Sequence, residues 1–270
     1  LCWHVENQWF TTYVYAKIAP NPDIISGMVA LSAITGSFAV VFFGTLSDRV
    51  GRRKPLMAAG YMIWGITVML FGLTEYARSS LALAAVLTVA ADCVMTFFGS
   101  TANDAAFNAW VTEISTPKVR PTIEVAFTFV GFLSMVAVMG VGSLAQAGTV
   151  SYQNFFLYLG LFVTACGVAG LFLIKNPEKK PVANEASSSY WADLIYGFRP
   201  SVIKENSRFY LTLLAVGFSS VAYQVFFPYL LVYLQYVVIP DNTANGAELL
   251  SLPTIIIAVI VVIALVAGIV

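Results

Sequence analysis

Long uncharged stretches recur along this chain at the length needed to cross a lipid bilayer. The hydrocarbon core of a bilayer is about 30 Å thick, which about 20 apolar residues span as a helix. Apolar residues make up 59% of the 270 residues, charged residues only 10%, and the mean hydropathy is +0.82. These values lie outside the range of soluble globular domains. The chain is therefore predicted to be an all-α integral membrane protein.

Eight segments are predicted to lie in the membrane. Segment 1–18 is rich in aromatic residues and ends in a proline-containing turn, so we interpret it as the second half of a span. The other seven are predicted at 24–46, 55–73, 81–102, 125–145, 155–174, 209–238 and 249–270. Because the chain starts and stops within apolar runs, we expect a fragment of a longer protein.

The positions of Lys and Arg predict the orientation of the loops. Twelve of the 14 basic residues lie in or beside the loops 47–54, 113–120 and 175–207, and only Lys17 and Arg78 lie elsewhere. Positive residues are retained on the cytoplasmic side during insertion. These three loops are therefore predicted to be cytoplasmic, in a multi-pass protein of the cell (cytoplasmic) membrane.

The polar stretch 175–207 divides the chain. Its first half is rich in Pro, Glu, Lys and Ser and predicts a flexible linker. In its second half four large apolar residues share one helical face: Trp191, Leu194, Ile195 and Phe198. They predict an amphipathic helix that either lies on the inner leaflet or packs the linker against the bundle. The predicted domains are a six-helix bundle at 1–174, the linker, and the first two helices of a second bundle at 208–270.

The loop between the second and third spans has an unusual sequence, Gly-Thr-Leu-Ser-Asp-Arg-Val-Gly-Arg-Arg-Lys from Gly44 to Lys54. It resembles the signature loop of the major facilitator superfamily. Gly44 is predicted to let two helices approach closely, and Gly51 to supply a positive φ in the short turn. The resemblance implies a major-facilitator-type bundle of twelve spans, about eight of them in this chain, and transport by alternating access.

The resemblance also implies a network of charges that controls the conformation. The family's conserved acid corresponds to Asp48, which is expected to interact with Arg52 and with an acid at the inner end of the fourth span, for which we predict Glu113. Paired charges at a membrane edge can bias a transporter between states. The predicted gating residues are Gly44, Asp48, Arg49, Gly51, Arg52, Arg53, Glu113 and Arg120. Alternatively, basic residues such as Arg53 and Lys54 form a solvated loop.

Polar residues deep in the fourth span are candidates for a solute or ion site. At 100° per residue, four residues form a single stripe: Asp92, Thr96, Gly99 and Asn103. A carboxylate inside the membrane is a functional candidate by default, because burying an unpaired charge is costly. Asp92 is predicted to carry a proton or cation or to bind the solute. Asp104 and Asn108 are predicted to be structural or to join the loop network.

The first and seventh spans supply further candidates. Glu6 and Asn7 are predicted to line a cavity, the alternative being an interfacial position where they are simply solvated. Tyr223 and Gln224 lie in mid-span, a few residues before Pro228, which can kink a helix. Side chains of these two types suit a hydroxylated solute, and they equally suit hydrogen bonds between helices.

These candidates favour a secondary active transporter that moves a small solute, coupled to H⁺ or Na⁺ through Asp92 or Glu6. The run 108–114, Asn-Ala-Trp-Val-Thr-Glu-Ile, is similar to the sugar/cation symporters of the superfamily, so a sugar or related polar metabolite is the leading substrate. A drug or metabolite efflux antiporter and a non-transporting receptor are the alternatives. Efflux is disfavoured because no proline between Pro121 and Pro177 supplies the antiporters' Gly-Pro motif.

Other classes of function lack sequence support. The chain has no GxxxxGK loop for ATP, a single His, and no cluster of nucleophilic or metal-ligating residues. We therefore predict no enzymatic activity, no metal and no cofactor. The net charge of zero and the absence of a basic cluster with aromatic residues argue against nucleic-acid binding. The expected partners are the solute, a coupling ion and the lipid bilayer, and the protein is expected to be a monomer.

Overall fold

The structure, a computed structural model, describes residues 1–51, 53–174 and 190–233, which form helices joined by short loops and contain no strand. Helix α1 runs from 2 to 18, and the next five are α2 (Pro22–Val50), α3 (Arg53–Phe71), α4 (Leu81–Ile114), α5 (Arg120–Gln146) and α6 (Tyr152–Leu173). After the linker come α7 (Tyr190–Tyr196), α8 (Pro200–Glu205) and α9 (Ser207–Tyr233).

Six of these helices, α2 to α6 and α9, are long and apolar enough to cross a membrane. The prediction of an all-α integral membrane protein is therefore confirmed. The predicted span 249–270 and the end of the preceding one, 234–238, lie outside the described residues, as does the linker segment 175–189. The division into three domains stays a prediction.

Helix α1 forms the centre of the core, although it is shorter than the six. Two of its turns, Glu6–Phe10 and Val14–Ile18, are wider π-helical turns with i→i+5 hydrogen bonds. Trp9, Phe10 and Tyr13 are fully buried. Phe10 stacks on Phe71 of α3 with ring centroids 3.8 Å apart, and both rings meet Phe156 of α6 edge-on. The aromatic residues of segment 1–18 thus bind α1 to α3 and α6.

Both ends of α2 show why the chain turns where it does. Asn21 caps the start, where its Oδ1 accepts a hydrogen bond from the Asp23 N–H at 2.9 Å, and Pro22 occupies the first helical position. At the other end Gly51 adopts a φ of 61° and donates its N–H to the Ser47 carbonyl. The positive φ predicted for Gly51 is therefore observed, and it lets α3 begin immediately after the turn.

Small residues allow α3 and α6 to pack closely. A Cβ atom added to Gly160 would clash with the carbonyl oxygen of Gly65, and one added to Gly167 would lie 2.7 Å from the Met62 nitrogen. Backbones this close are typical of helix pairs in membranes, where packing and not hydrophobic exclusion drives association.

The close helix approach predicted for Gly44 is not found among the described residues. A Cβ at Gly44 would meet no atom of the described residues within 4 Å. Helix α2 packs on α4 through Gly36 instead, where an added Cβ would lie 3.0 Å from Ser100 Oγ and 3.1 Å from Thr96 Cγ2. Gly44 lies eight residues further on and is rotated by about 80° from that contact face at 100° per residue.

We expect Gly160→Ala to destabilise the bundle by about 1–3 kcal/mol, because the added methyl group overpacks the α3–α6 contact. Gly131→Ala in α5 is the matched control, because an added Cβ there meets no described atom and alanine is the better helix former. The measurement is the thermal unfolding midpoint in detergent. Equal midpoints for both variants would contradict the close packing of α3 and α6.

Helix α4 is longer than its predicted span, which was expected to end at 102. It continues through a π-helical segment, Ser100–Phe107, and a final α-helical segment, Asn108–Ile114. The polar residues that mark the end in the sequence are satisfied by neighbouring side chains. Asn103, for example, accepts a hydrogen bond from the Tyr61 hydroxyl at 2.8 Å. The hydropathy pattern therefore ends before the helix does.

The linker helix α7 packs against α2. The Tyr190 hydroxyl donates to the Phe42 carbonyl at 2.8 Å, and Trp191 meets the Phe42 ring edge-on at 6.0 Å. Ile195 and Phe198 remain exposed. Each of the two alternatives for this amphipathic segment thus applies to a part of it. The start of the helix contacts the bundle, and the exposed apolar residues after it are free to face lipid.

Candidate functional site

A cavity of about 550 Å³, here called the central cavity, lies between α1, α2, α4 and α9. Its α2 wall runs from Val29 to Val41, the middle of that helix, so the cavity lies at mid-depth in the bundle. The lining residues are Trp3, Glu6, Asn7, Val29, Ser32, Ala33, Gly36, Ser37, Val40, Val41, Thr96, Ser100, Asp104 and Gln224.

Four of the residues predicted for solute or ion binding meet in this cavity: Glu6, Asn7, Thr96 and Gln224. Thr96 Oγ1 donates to Glu6 Oε1 at 3.1 Å, which joins α4 to α1. Gln224 Nε2 donates to Asn7 Oδ1 at 3.0 Å, which joins α9 to α1. The structure therefore places Glu6 and Asn7 at the cavity and not at an interfacial end of the bundle.

Asp92 lies behind the cavity wall. Its side chain faces Ser32 of α2, and the residue is only 1% exposed. Glu6 is close enough to interact with it electrostatically. Within the described part of the chain, Asp92 Oδ1 and Glu6 Oε2 are enclosed and have no hydrogen-bond partner. The site thus holds two neighbouring carboxyl groups that are incompletely satisfied.

The predicted stripe on α4 does not hold along its whole length. Gly99 faces α3, where an added Cβ would lie 2.7 Å from Trp64 Cε2. Asn103 also faces α3, where it accepts a hydrogen bond from the Tyr61 hydroxyl. Ser100 and Asp104 line the cavity instead. For Asn103 the cause is the π-helical segment that begins at Ser100, because each of its turns holds more residues than the 3.6 of an α-helix.

Asp104, predicted to be structural or to join the loop network, therefore lines the cavity, and none of its hydrogen bonds among the described residues reaches the loop network. Asn103 Nδ2 donates to Asp104 Oδ1 at 2.9 Å, so Asn103 orients this carboxyl group without lining the cavity itself. Tyr223 is also absent from the central cavity. It is exposed, stacks on Phe227 with centroids 4.5 Å apart, and borders a separate groove along α9.

Sequence reasoning missed several cavity residues: Trp3, Ser32, Gly36, Ser37 and Ser100. A signal for some of them exists, because Ser32 and Gly36 are four residues apart on α2, as Ser100 and Asp104 are on α4. Residues at this spacing share one helix face. Pairing the two small, polar faces would have predicted that α2 and α4 meet beside Thr96.

A second site lies where the loops 47–54 and 113–120 meet, at one end of the bundle. Arg53 Nη2 lies 2.7 Å from Asp48 Oδ1 and 2.6 Å from Glu113 Oε1, and Nη1 donates to Ser47 Oγ at 2.7 Å. The Arg53 side chain is only 7% exposed, whereas Asp48 and Glu113 are 68% and 39% exposed. This Arg53 network ties together the ends of α2, α3 and α4.

The network joins Asp48 to Glu113, and the arginine between them is Arg53. Arg52, the partner implied by the family resemblance, lies outside the described residues. The solvated position considered for Arg53 is wrong, because its guanidinium is buried among three partners. Arg120 donates to Thr112 Oγ1 at 2.8 Å, and Arg49 lies over the Tyr190 ring at 5.4 Å.

Comparison with known families adds independent information. A family profile described as Major Facilitator Superfamily matches residues 9–270. The chain belongs to the major facilitator superfamily. Comparisons with curated proteins and with solved structures gave no match. As a member of this superfamily the protein is a multi-pass membrane transporter, and the resemblance that rested on Gly44 to Lys54 extends over residues 9–270 of the chain.

Proposed function

We propose that this facilitator is a secondary active transporter that moves a small polar solute through the central cavity, driven by protons that bind at Glu6 and Asp92. The observation that carries the proposal is the enclosure of both carboxyl groups at mid-depth in the bundle. Neither forms an ion pair with a basic side chain among the described residues.

The position and size of the central cavity support its use for solute. Transporters of this type bind substrate near the bilayer midplane, between two bundles that rock around the site. A volume of about 550 Å³ lies within the usual range for small-molecule sites. Its wall combines hydroxyl, amide and carboxyl groups with the Trp3 ring. A sugar or related polar metabolite, suggested by the run 108–114, suits such a wall.

The two carboxyl groups support coupling to protons. In a low-dielectric environment two adjacent carboxylates without a cation repel each other and lose hydration, so a shared proton lowers the cost. Thr96 connects the pair to the cavity through its hydrogen bond to Glu6. Binding or loss of the proton would change the charge behind the wall that the solute contacts. Sodium is the other coupling ion that the sequence allows. To bind in place of the proton, it would need several oxygen ligands around it.

The Arg53 network is proposed as a gating element. It holds three helix ends together beside the basic loops, which the charge distribution predicts to be cytoplasmic. Opening the cavity toward that side requires these ends to move relative to other helices. A set of ion pairs that forms in one state and breaks in another would bias the equilibrium between them.

Proton flux in reconstituted vesicles tests the proposal. Purified protein in vesicles loaded with a pH-sensitive dye is mixed with hexoses, pentoses and glycosides, one at a time. We expect at least one solute to cause proton movement that does not require sodium. A solute that is transported only with sodium, with no proton movement, would overturn proton coupling while leaving the transporter assignment in place.

A further inference from the structure

We propose that the central cavity admits solutes that donate hydrogen bonds and carry no negative charge, and that Asp104 sets this selectivity. The inference concerns the same cavity as the proposed function and rests on that function where it speaks of transported solute. The charge and hydrogen-bonding character of the wall, however, can be measured without any transport.

Three of the four hydroxyl groups of the wall have already used their hydrogens on the protein. Ser32 Oγ donates to the Val29 carbonyl at 3.2 Å, Ser37 Oγ donates to the Ala33 carbonyl at 2.8 Å, and Thr96 Oγ1 donates to Glu6. A hydroxyl has one donor hydrogen and two lone pairs, so each of these groups can offer a solute only acceptor sites.

The amides at the rim are committed as well. Asn7 Nδ2 donates to the Trp3 carbonyl at 2.8 Å, and its Oδ1 is taken by Gln224. Each amide nitrogen has thus spent one of its two hydrogens on the protein itself. The donors that remain in the wall, besides the fourth hydroxyl group, are one hydrogen on each of these amides and the Trp3 indole N–H. The hydroxyl, amide and carboxylate oxygens offer a larger number of acceptor sites, so a solute must supply most of the hydrogens.

The charge of the wall points in the same direction. Its 14 lining residues include two acids, Glu6 and Asp104, and no Lys, Arg or His. Asp104 is half-buried, faces the cavity, and is oriented by Asn103. A carboxylate has about four acceptor sites, so acceptor capacity remains for a solute. A negative charge brought into this cavity would be repelled at short range by these acids, and no basic side chain among the described lining residues offsets the repulsion.

Neutral polyhydroxylated solutes and protonated amines satisfy both requirements, since they donate hydrogen bonds and are not repelled. Uronic acids and phosphorylated sugars also have hydroxyl donors, but they carry a negative charge and so fail the second requirement. Within a set of sugars of similar size, the cavity is thus expected to distinguish the neutral and amino forms from the acid and phosphorylated forms.

A single cysteine in the cavity can report its charge. Ser37 is exposed on the α2 wall, and Ser37→Cys is made in a variant whose native cysteines Cys2, Cys93 and Cys166 are replaced by Ser. The detergent-solubilised protein is treated with two methanethiosulfonate reagents of similar size, one with a trimethylammonium group and one with a sulfonate. The measured quantity is the labelling rate with the trimethylammonium reagent divided by the rate with the sulfonate reagent. This ratio is then divided by the same ratio for a free thiol in solution.

We expect the normalised ratio at Ser37→Cys to favour the cation by about tenfold, and Asp104→Asn to reduce that preference by at least about threefold. Ser219→Cys is the control site, because it lies in the groove along α9 that no charged residue of the described chain lines. Glu124→Gln is the control variant, because Glu124 lies on α5 outside the central cavity.

Equal rates for the two reagents at Ser37→Cys would overturn the proposal, and an unchanged ratio in Asp104→Asn would remove Asp104 as its cause. If Asp104→Asn does not yield monodisperse protein, Asp104→Ser replaces it, and Val41→Cys serves as a second reporter. Because the rates need neither solute nor gradient, a failure of proton-coupled transport leaves this result intact, and the reverse also holds.

Discussion

Replacing Asp92 with Asn is expected to abolish proton-driven accumulation of solute while exchange of solute across the membrane continues. Asn is nearly the same size as Asp but cannot bind and release a proton. A gradient of about one pH unit supplies about 1.4 kcal/mol per proton and supports a roughly tenfold accumulation. The wild-type protein should approach that value, and Asp92→Asn should stay near equal concentrations on both sides.

The test compares two assays of the same variant, one driven by a proton gradient and one without a gradient. Counterflow, in which labelled solute exchanges for unlabelled solute without a gradient, shows that Asp92→Asn still folds and binds. Asp23→Asn serves as the matched control, because Asp23 is an exposed acid in the first turn of α2. Accumulation at the wild-type level in Asp92→Asn would exclude Asp92 as the coupling residue and leave Glu6 as the only candidate of the pair.

Arg53→Ala is expected to lower the stability of the protein by roughly 2–4 kcal/mol and to shift its conformational equilibrium. The change removes two ion pairs and leaves the buried Ser47 hydroxyl without the guanidinium partner. The loss falls short of that of a fully buried pair, because water can still reach Asp48 and Glu113. Arg53→Lys should recover only part of the loss. It restores the positive charge, but an ammonium group lacks the planar fork of donors with which the guanidinium reaches three partners.

Two measurements separate stability from gating. The thermal midpoint in detergent reports stability, and the labelling rate of a cysteine at position 37 reports how often the central cavity is open. Lys118→Ala is the control, because it removes an exposed basic residue from the loop 113–120. A lower midpoint with unchanged labelling would make the Arg53 network purely structural, and wild-type behaviour in both measurements would contradict its role altogether.

The membrane helices could be predicted from the sequence because hydropathy reports directly on contact with lipid. Every described span was found, and most of the differences lie at helix ends. The largest difference is α4, which continues to Ile114 although polar residues such as Asn103 follow its predicted end at 102. A polar side chain that bonds to a neighbouring helix leaves the backbone free to stay helical, and hydropathy contains no information about such a partner.

The candidate site could be predicted only as a set of residues and not as an arrangement. Glu6, Thr96 and Gln224 were found because polar residues are rare in spans. Their contacts depend on helix rotation, which periodicity describes only for a regular helix. The wide turns of α4 therefore moved Asn103 out of the cavity and brought Asp104 into it. Burial depends on packing in the same way, which is why the sequence left Arg53 open between a solvated and a paired role.

The wide segment Ser100–Phe107 separates two parts of α4 that contribute to different sites. Thr96 precedes it and faces the central cavity, whereas Glu113 follows it and reaches Arg53. Each residue of this segment adds to the rotation between the two parts, so a change in its length changes the direction of Glu113 about the helix axis relative to Thr96. The number of residues in the segment therefore helps to determine whether both contacts can form at the same time.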